Sequence, residues 1–353
     1  MGKNKIKPIK LPADELAHKN CAIEWWYFNG NLKDKEGKEY SFMNCLFKAE
    51  LSKMPKPFAI LPNKPPLKNF YFSHSLLSDI DKKKFTHRTS PLSILSLDSF
   101  QKSLLFINYL NPILKNGYIN CIIEKIDTKT YHIKNEDIEL YLTPQKKPLL
   151  EGGKGFMDFG LSSTYYYSIT NFRTEGKIKI NDKWVEVTGK SWMDHQWSEK
   201  LSKKNEWDWF SIQLADNTEI VCFRYGNEKA KIYSADISLP NGTQKNCKEV
   251  EITPGKETWT SPVSKAVYPT SWHIKLPREK IELHLKARIQ NQEMLFGSMS
   301  YWEGPLEVIG TYNNKKVKGK GFMELVGYNS KYSNIRYAKD EIQKALGVFL
   351  KNI

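Results

Sequence analysis

The chain has 353 residues, 40% of them apolar and 13% aromatic, and carries 54 Lys+Arg against 39 Asp+Glu, a formal net charge of +15. That length suits two domains of ordinary size, with enough apolar residues for real cores. The positive excess comes with no basic stripe and no nucleic-acid motif, so it reads as a solvated, lysine-rich surface and nucleic acid is not expected as a partner.

Five cysteines (Cys21, Cys45, Cys121, Cys222 and Cys247) make an odd number with no C-x-x-C pair, which sets aside a disulfide framework and a zinc knuckle. The opening MGKNKIKPIK is basic but leads into no apolar segment. No signal peptide is therefore expected, and a reduced, cytoplasmic protein is. No run reaches the roughly 18 apolar residues of a spanning helix, although peripheral membrane contact is left open.

Residues 1–20 read as an extended arm. From residue 24 to 142, short alternating apolar runs are broken by Gly, Asn, Asp, Lys or Pro, as at 40–47, 70–76, 103–109, 119–126 and 138–142. This is the pattern of an antiparallel sandwich or barrel. Residues 54–66 hold five prolines and read as a loop. Residues 144–160, rich in Pro and Gly, are the expected linker or lid. Strand-like runs resume at 165–172, 176–180, 184–191, 207–214, 219–225, 232–239, 271–276, 281–289, 304–312 and 319–326. Ile342, Ala345, Leu346, Phe349, Leu350 and Ile353 form one apolar stripe at helical spacing, with Asp340 and Glu341 expected at the helix start. The stripe suits packing on a barrel wall better than membrane binding.

Two stretches are alike. Residues 24–34 (EWWYFNGNLKD) align without a gap on 206–216 (EWDWFSIQLAD), sharing Glu, Trp, an aromatic, Phe, Leu and Asp at the same offsets. Such self-similarity is the mark of a duplicated unit. The expected architecture is all-β: two tandem lipocalin-like antiparallel β-barrels, at 21–160 and 161–353, the second ending in an α-helix. Successive strand residues point to opposite faces. One face of the first unit then carries Trp25, Tyr27, Asn29 and Asn31, and the matching face of the second carries Trp207, Trp209, Ser211 and Gln213. Rings mixed with amides suit a ligand cavity. They suit equally a barrel plugged by its own side chains.

The second constellation is Gly189-Lys190-Ser191-Trp192-Met193-Asp194-His195-Gln196-Trp197. On a strand Trp192 and Asp194 share a face, and Met193, His195 and Trp197 take the other. A carboxyl group flanked by indoles has its charged form disfavoured, which keeps it protonated for general-acid work. The plainer readings are a turn-capping carboxylate for Asp194 and a structural hydrogen bond for His195. Tyr165 and Tyr167 place two phenols on one face. The histidines show no H-E-x-x-H or H-x-H spacing, so no metal site is expected. No G-x-S-x-G elbow, P-loop or G-x-G-x-x-G is present.

These residues also carry a resemblance. Pro12-x-Asp14-x-x-x-His18, Glu24-Trp25-Trp26-Tyr27 with Gly30-x-Leu32, and Gly189-x-x-Trp192-Met193-Asp194-His195-x-Trp197 follow one another in order. Trp207-x-Trp209-Phe210-x-x-Gln213-Leu214-x-Asp216, Tyr301-Trp302-Glu303-Gly304 and Gly319-x-Gly321-x-x-Glu324-Leu325-x-Gly327-Tyr328 complete the series. Together they resemble the AttH-like, carotenoid 1,2-hydratase-like lipocalin superfamily. The resemblance implies two packed lipocalin-type barrels and a non-polar, isoprenoid or polyene-like small-molecule ligand. Relatives of that kind add water to an isolated alkene, or fold polyenes for cyclisation, with no redox cofactor. The acid-bearing Tyr-x-Asp pair of the hydratases falls on Trp192 and Asp194, so the acid carries over and the phenol does not. A His-x-Trp pair of those enzymes falls near Tyr165 and Tyr167. The expected function is cofactor-independent alkene protonation by Asp194, leading to hydration or cyclisation, with Trp192, Tyr165, Tyr167 and His195 around the acid. Trp25, Tyr27, Asn29, Trp207, Trp209 and Gln213 are expected to bind ligand. The rival reading is a non-catalytic lipocalin-like carrier.

Overall fold

A computed structural model describes residues 6–53, 69–95, 104–110, 121–159, 163–200, 206–227, 230–328 and 331–351. The proline-rich segment 54–66 lies outside the described residues.

The first sheet holds β1 (Ile23–Asp34), β2 (Glu39–Glu50), β3 (Asn69–Asp79), β4 (Lys84–Leu95), β5 (Phe106–Leu110), β6 (Cys121–Lys125), β7 (Tyr131–Lys134), β8 (Ile138–Pro144), β9 (Leu149–Leu150), β10 (Phe156–Asp158), β11 (Ser163–Ile180) and β12 (Lys183–Ser198). Its order is β10-β11-β12-β1-β2-β3-β4-β5-β6-β7-β8, and β8 pairs back onto β11. That last pairing closes the sheet into an antiparallel barrel, which leaves its main strands without a free edge.

The second sheet uses β13 (Trp207–Leu214), β14 (Glu219–Asn227), β15 (Ala230–Ser238), β16 (Gln244–Asn246), β17 (Glu251–Pro254), β20 (Ser271–Leu276), β21 (Ile281–Ala287), β22 (Glu293–Met294), β23 (Tyr301–Tyr312) and β24 (Lys315–Val326); a separate ribbon pairs β18 (Thr258–Thr260) with β19 (Val267–Pro269). Among the described residues there is one α-helix, α1 (Asn334–Lys351). The all-β architecture with a terminal helix is as expected.

Three expectations need correction. The chain divides by contacts into one unit of 1–203, 216–220 and 236–246 and another of 204–215, 221–235 and 247–353. The boundary is therefore not at 160. β11 and β12 pair with β1 and β8, and their hydrogen-bond ladders hold them in the first barrel. Second, 144–160 is no linker. Leu149 and Glu151 are buried there, and Gly152, Gly153 and Gly155 take φ of 66°, 77° and 74°, so the chain turns tightly through the left-handed region that glycine tolerates. Third, α1 begins six residues before Asp340, at Asn334. Ser333 caps it, its Oγ accepting the Arg336 N–H at 3.2 Å. The side chains of the expected apolar stripe, from Ile342 onward, lie outside the described residues.

The inner face of the first barrel is filled. Trp26, Phe28, Phe42, Tyr131, Phe172 and Met193 belong to one buried cluster, and the rings of Tyr131 and Phe172 meet edge-on at 5.4 Å. The strand face that fills the barrel is thus that of Trp26 and Phe28, and the face of Trp25, Tyr27 and Asn29, for which the sequence leaves cavity and plug both open, is turned outward. Two motif glycines explain how closely β1 and β12 lie. A Cβ at Gly189 would stand 2.1 Å from the Asn31 carbonyl oxygen, and one at Gly30 would stand 2.4 Å from Ser191 Oγ.

Candidate active site

β12 runs between β1 and β11, and the register fixes what surrounds its two central polar residues. Asp194 lies opposite Tyr27 on β1 and Ser168 on β11. Directly opposed residues of an antiparallel pair share a face, so Asp194, Tyr27, Ser168, Tyr166 and Trp192 gather on the outer face of the barrel wall. His195, one residue on, points to the inner face with Trp26 and Tyr167.

Asp194 is 3% exposed. Tyr166 donates its hydroxyl to Oδ2 at 2.6 Å, while Ser168 Oγ and Trp192 Nε1 each reach Oδ1 at 2.6 Å. Burial pushes the carboxyl up to about 6, against the pull of the hydrogen bonds from Ser168, Tyr166 and Trp192, which favour its charged form. The group is therefore poised to gain or lose a proton near neutrality. Ser168 also reaches Glu151 Oε1 at 2.7 Å. Asp194 is consequently not alone: a second buried carboxyl lies one hydroxyl away.

The inner face carries a different network. Glu24 Oε1 meets His18 Nδ1 at 2.7 Å and His195 Nε2 at 3.0 Å, while Lys48 Nζ meets Oε2 at 3.2 Å. The His18 N–H donates to the same carboxylate at 2.9 Å, and Lys48 also reaches the His18 carbonyl and Cys21 Sγ. Burial opposes the charge on Glu24, but the hydrogen bonds from His18 and His195 prevail and hold it down at about 2. Burial in turn holds His195 below its ordinary value, partly offset by Glu24. The His18 ring stacks on Trp197 at 4.0 Å and His195 on Trp26 at 4.8 Å.

His18, Glu24 and His195 have the donor types of metal ligands, with their nearest atoms within 4.8 Å of one another. The donor count argues for an ion-pair network instead. Both oxygens of Glu24 already accept from N–H groups, and the Lys48 ammonium supplies the positive charge. In the second unit, His273 and His284 face each other across β20 and β21 beside Glu282. There Lys275 pairs with the same Glu282 oxygen at 3.3 Å. Sequence spacing shows neither group, because the first is assembled by the arm folding against β1 and β12 and the second by the pairing of β20 with β21.

Several expected site residues stand elsewhere. Tyr165 and Tyr167 face inward, the first stacked on Trp197 at 5.3 Å and the second 3.3 Å from His195 Nδ1. They do not adjoin Asp194, because the register puts the even-numbered residues of β11 on its face; the phenol there is Tyr166. His195 is separated from Asp194 by the sheet itself, and no bulge brings them together. Trp25, Tyr27 and Asn29 do lie on Asp194's face, Tyr27 directly opposite it and Asn29 opposite Trp192. Trp207, Trp209 and Gln213 belong to the second unit. Within it Trp207 Nε1 donates to Glu324 Oε1, and Trp209 is buried. Tyr166, Ser168 and Glu151 escaped the sequence reading. Parity along β11 would have found the first two had the register been known, and Glu151 had no local signal at all.

The AttH-like family model matches residues 3–328. The chain belongs to the AttH-like family. Kievitone hydratase of Fusarium solani subsp. phaseoli is 24% identical over 277 residues, covering 72% of this chain and 76% of that protein. Dehydratase asqC of Emericella nidulans is 22% identical over 206 residues, 54% of this chain and 58% of its own length. Two crystal structures share the AttH-like fold. An AttH-type protein of Nitrosomonas europaea superposes with a TM-score of 0.72 at 24% identity, covering 91% of this chain and 98% of its own. Kievitone hydratase of Nectria haematococca superposes with a TM-score of 0.72 at 15% identity, covering 92% and 94%. No described helix is long and apolar enough to cross a membrane.

Proposed function

We propose that this AttH-like protein is a hydratase or dehydratase acting on a hydrophobic, alkene-bearing small molecule, with Asp194 as the group that transfers the proton. The observation that carries this reading is the buried Asp194 carboxyl, held at 2.6 Å by Tyr166, Ser168 and Trp192 with its proton affinity raised to about 6. The names of its hydratase and dehydratase relatives agree with it.

In the hydration direction, the O–H bond of Asp194 breaks as a C–H bond forms at one alkene carbon, leaving a tertiary carbocation. Tyr27 and Trp192 lie on the same side of the sheet as Asp194, and a desolvated contact of cation and ring contributes about 2 kcal/mol. Water adds to the cation and gives up a proton, so alkene and water yield an alcohol. Dehydration is the reverse. The chemistry needs acid–base transfer and no redox cofactor.

The test is turnover of prenyl-bearing and acyclic isoprenoid alkenes in heavy-oxygen water by wild type and Asp194→Asn. A general acid contributes about 10²- to 10⁴-fold, and a loss of that size, with heavy oxygen in the product, is expected. Unchanged turnover in Asp194→Asn removes Asp194 from the role. Product free of solvent oxygen replaces hydration by cyclisation, and a bound lipophile that is never converted replaces the enzyme by a carrier.

A further inference from the structure

Ser168 stands between two carboxyl groups, with Oγ 2.6 Å from Asp194 Oδ1 and 2.7 Å from Glu151 Oε1. A hydroxyl owns one proton and can donate to only one of them. To bond the other, that carboxyl must bring a proton of its own. The spacing therefore describes two acids and one hydroxyl that together hold one extra proton.

The remaining partners say where that proton rests. Asp194 accepts from Tyr166 and Trp192 as well as facing Ser168, which are surroundings that suit a carboxylate. Glu151 is wholly buried, and among the described residues no N–H or O–H donor reaches its Oε2. The charge of Asp236 also acts on Glu151. Asp236 in turn accepts the Gly152 N–H at 2.8 Å and Asn246 Nδ2–H at 2.9 Å, which favour its charged form against the burial that raises its carboxyl. Two adjoining carboxylates repel one another, which favours a proton on one of them. Burial, then the charges of Asp236 and Asp194, push Glu151 well above the usual carboxylate range, with the Ser168 bond opposing. Asp194 rises only to about 6. All these groups belong to the first unit.

We propose that Glu151 is the positioning residue that stores the proton of the active-site pair and passes it through the Ser168 hydroxyl to Asp194. This rests on the reading of Asp194 as the proton-transferring acid. As Glu151 Oε1 gives its proton to Ser168 Oγ, Ser168 gives its own to Asp194 Oδ1, and Asp194 then protonates the alkene carbon. The proton released by the adding water returns along the same chain, so the protein ends each cycle as it began. A lone acid titrating near 6 would be mostly ionised at neutral pH. The coupled pair keeps one proton to higher pH, and its apparent titration belongs to both acids together. The groups facing the pair are Tyr166, Trp192, Ser168 and Asp236, with Tyr27 opposite Asp194 on β1.

The test compares full-length wild type, Glu151→Gln and Ser168→Ala at neutral pH by infrared difference spectroscopy, which needs no substrate, and by the pH profile of kcat/KM. A protonated-carboxyl band present in wild type and missing from Glu151→Gln is expected, and the same band should persist in Asp194→Asn. Identical carboxyl regions in wild type and Glu151→Gln would overturn the proposal. The alkaline limb of kcat/KM should fall by about one pH unit in both Glu151→Gln and Ser168→Ala, with KM little changed. An unmoved limb in Ser168→Ala would overturn the route through the hydroxyl. A band that behaves as expected in a protein that never turns over an alkene keeps Glu151 as the proton store and sinks the alkene chemistry instead.

Discussion

At the scale of single residues, parity decides the chemistry. Tyr165, Tyr166 and Tyr167 are consecutive phenols on β11, yet only Tyr166 reaches Asp194, because its neighbours face the barrel interior. Its hydroxyl favours the charged form of the carboxylate. Tyr166→Phe removes that donor and leaves Oδ2 in a dry site, so the Asp194 titration should move up from about 6. Tyr165→Phe and Tyr167→Phe should leave it in place. Hydrogen bonds to charged groups contribute about 1.5–3 kcal/mol, equivalent to about one to two pH units. Following the Asp194 carboxyl by isotope-edited infrared or carbon NMR against pH reads this directly. A shift in Tyr167→Phe equal to that in Tyr166→Phe would contradict the assignment of faces.

At the scale of elements, Glu24 ties four segments together: the arm through His18, its own β1, β2 through Lys48 and β12 through His195. Folding depresses the Glu24 pKa from 4.5 to about 2. The folded state thus binds fewer protons than the unfolded one across that interval. The resulting stability is fully present above pH 4.5 and is lost as pH falls through 2. His195 and His74 have the same sign: both are lowered by burial, His74 to about 3, so their contribution begins to fade below their ordinary 6.5. Glu24→Gln should flatten the acid limb of the stability curve. At neutral pH it should cost about 3–5 kcal/mol, because the buried Lys48 loses its partner. Urea unfolding at a series of pH values checks both, and an unchanged acid limb would exclude Glu24 as its source. This network also shows what the sequence could and could not reveal. The alternation of β1 and β12, their two faces and the repeat of β1 in β13 were all legible, since side-chain period is a local property. Register is not local. Nothing within 163–180 says which parity meets Asp194, and nothing in EGG at 151–153 says that its glutamate turns back beneath Ser168. Ser333 lay one residue before the true helix start, hidden by an acidic pair further along.

At the scale of the whole molecule, the first unit is not one stretch of chain. Residues 216–220 and 236–246 return to it after the chain has entered the second unit. They bring back Glu219, whose Oε2 lies 2.5 Å from Lys146 Nζ and whose Oε1 accepts from Asn171 at 2.8 Å. They also bring Asp236, which accepts the Gly152 N–H at 2.8 Å. Lys146 and Glu219 have side-chain exposures of 8% and 0%, so this pair is sheltered from solvent screening, and a cation left behind there has no easy route to water. Removing one partner of such a pair costs about 3–5 kcal/mol, a large share of the 5–15 kcal/mol that holds a typical domain together. A chain cut after residue 203 keeps every strand of the closed barrel but loses both returning carboxylates. It should therefore fail to show a cooperative thermal transition, or show one well below that of the full chain. Glu219→Gln in the intact chain should lower the melting temperature without abolishing the transition, because the amide still accepts a hydrogen bond and only the charge is gone. Circular dichroism melts of the two proteins beside wild type separate these cases. A 1–203 fragment that melts cooperatively at the full chain's temperature would mean that the barrel closure alone, β8 on β11, carries the stability assigned here to the returning segments.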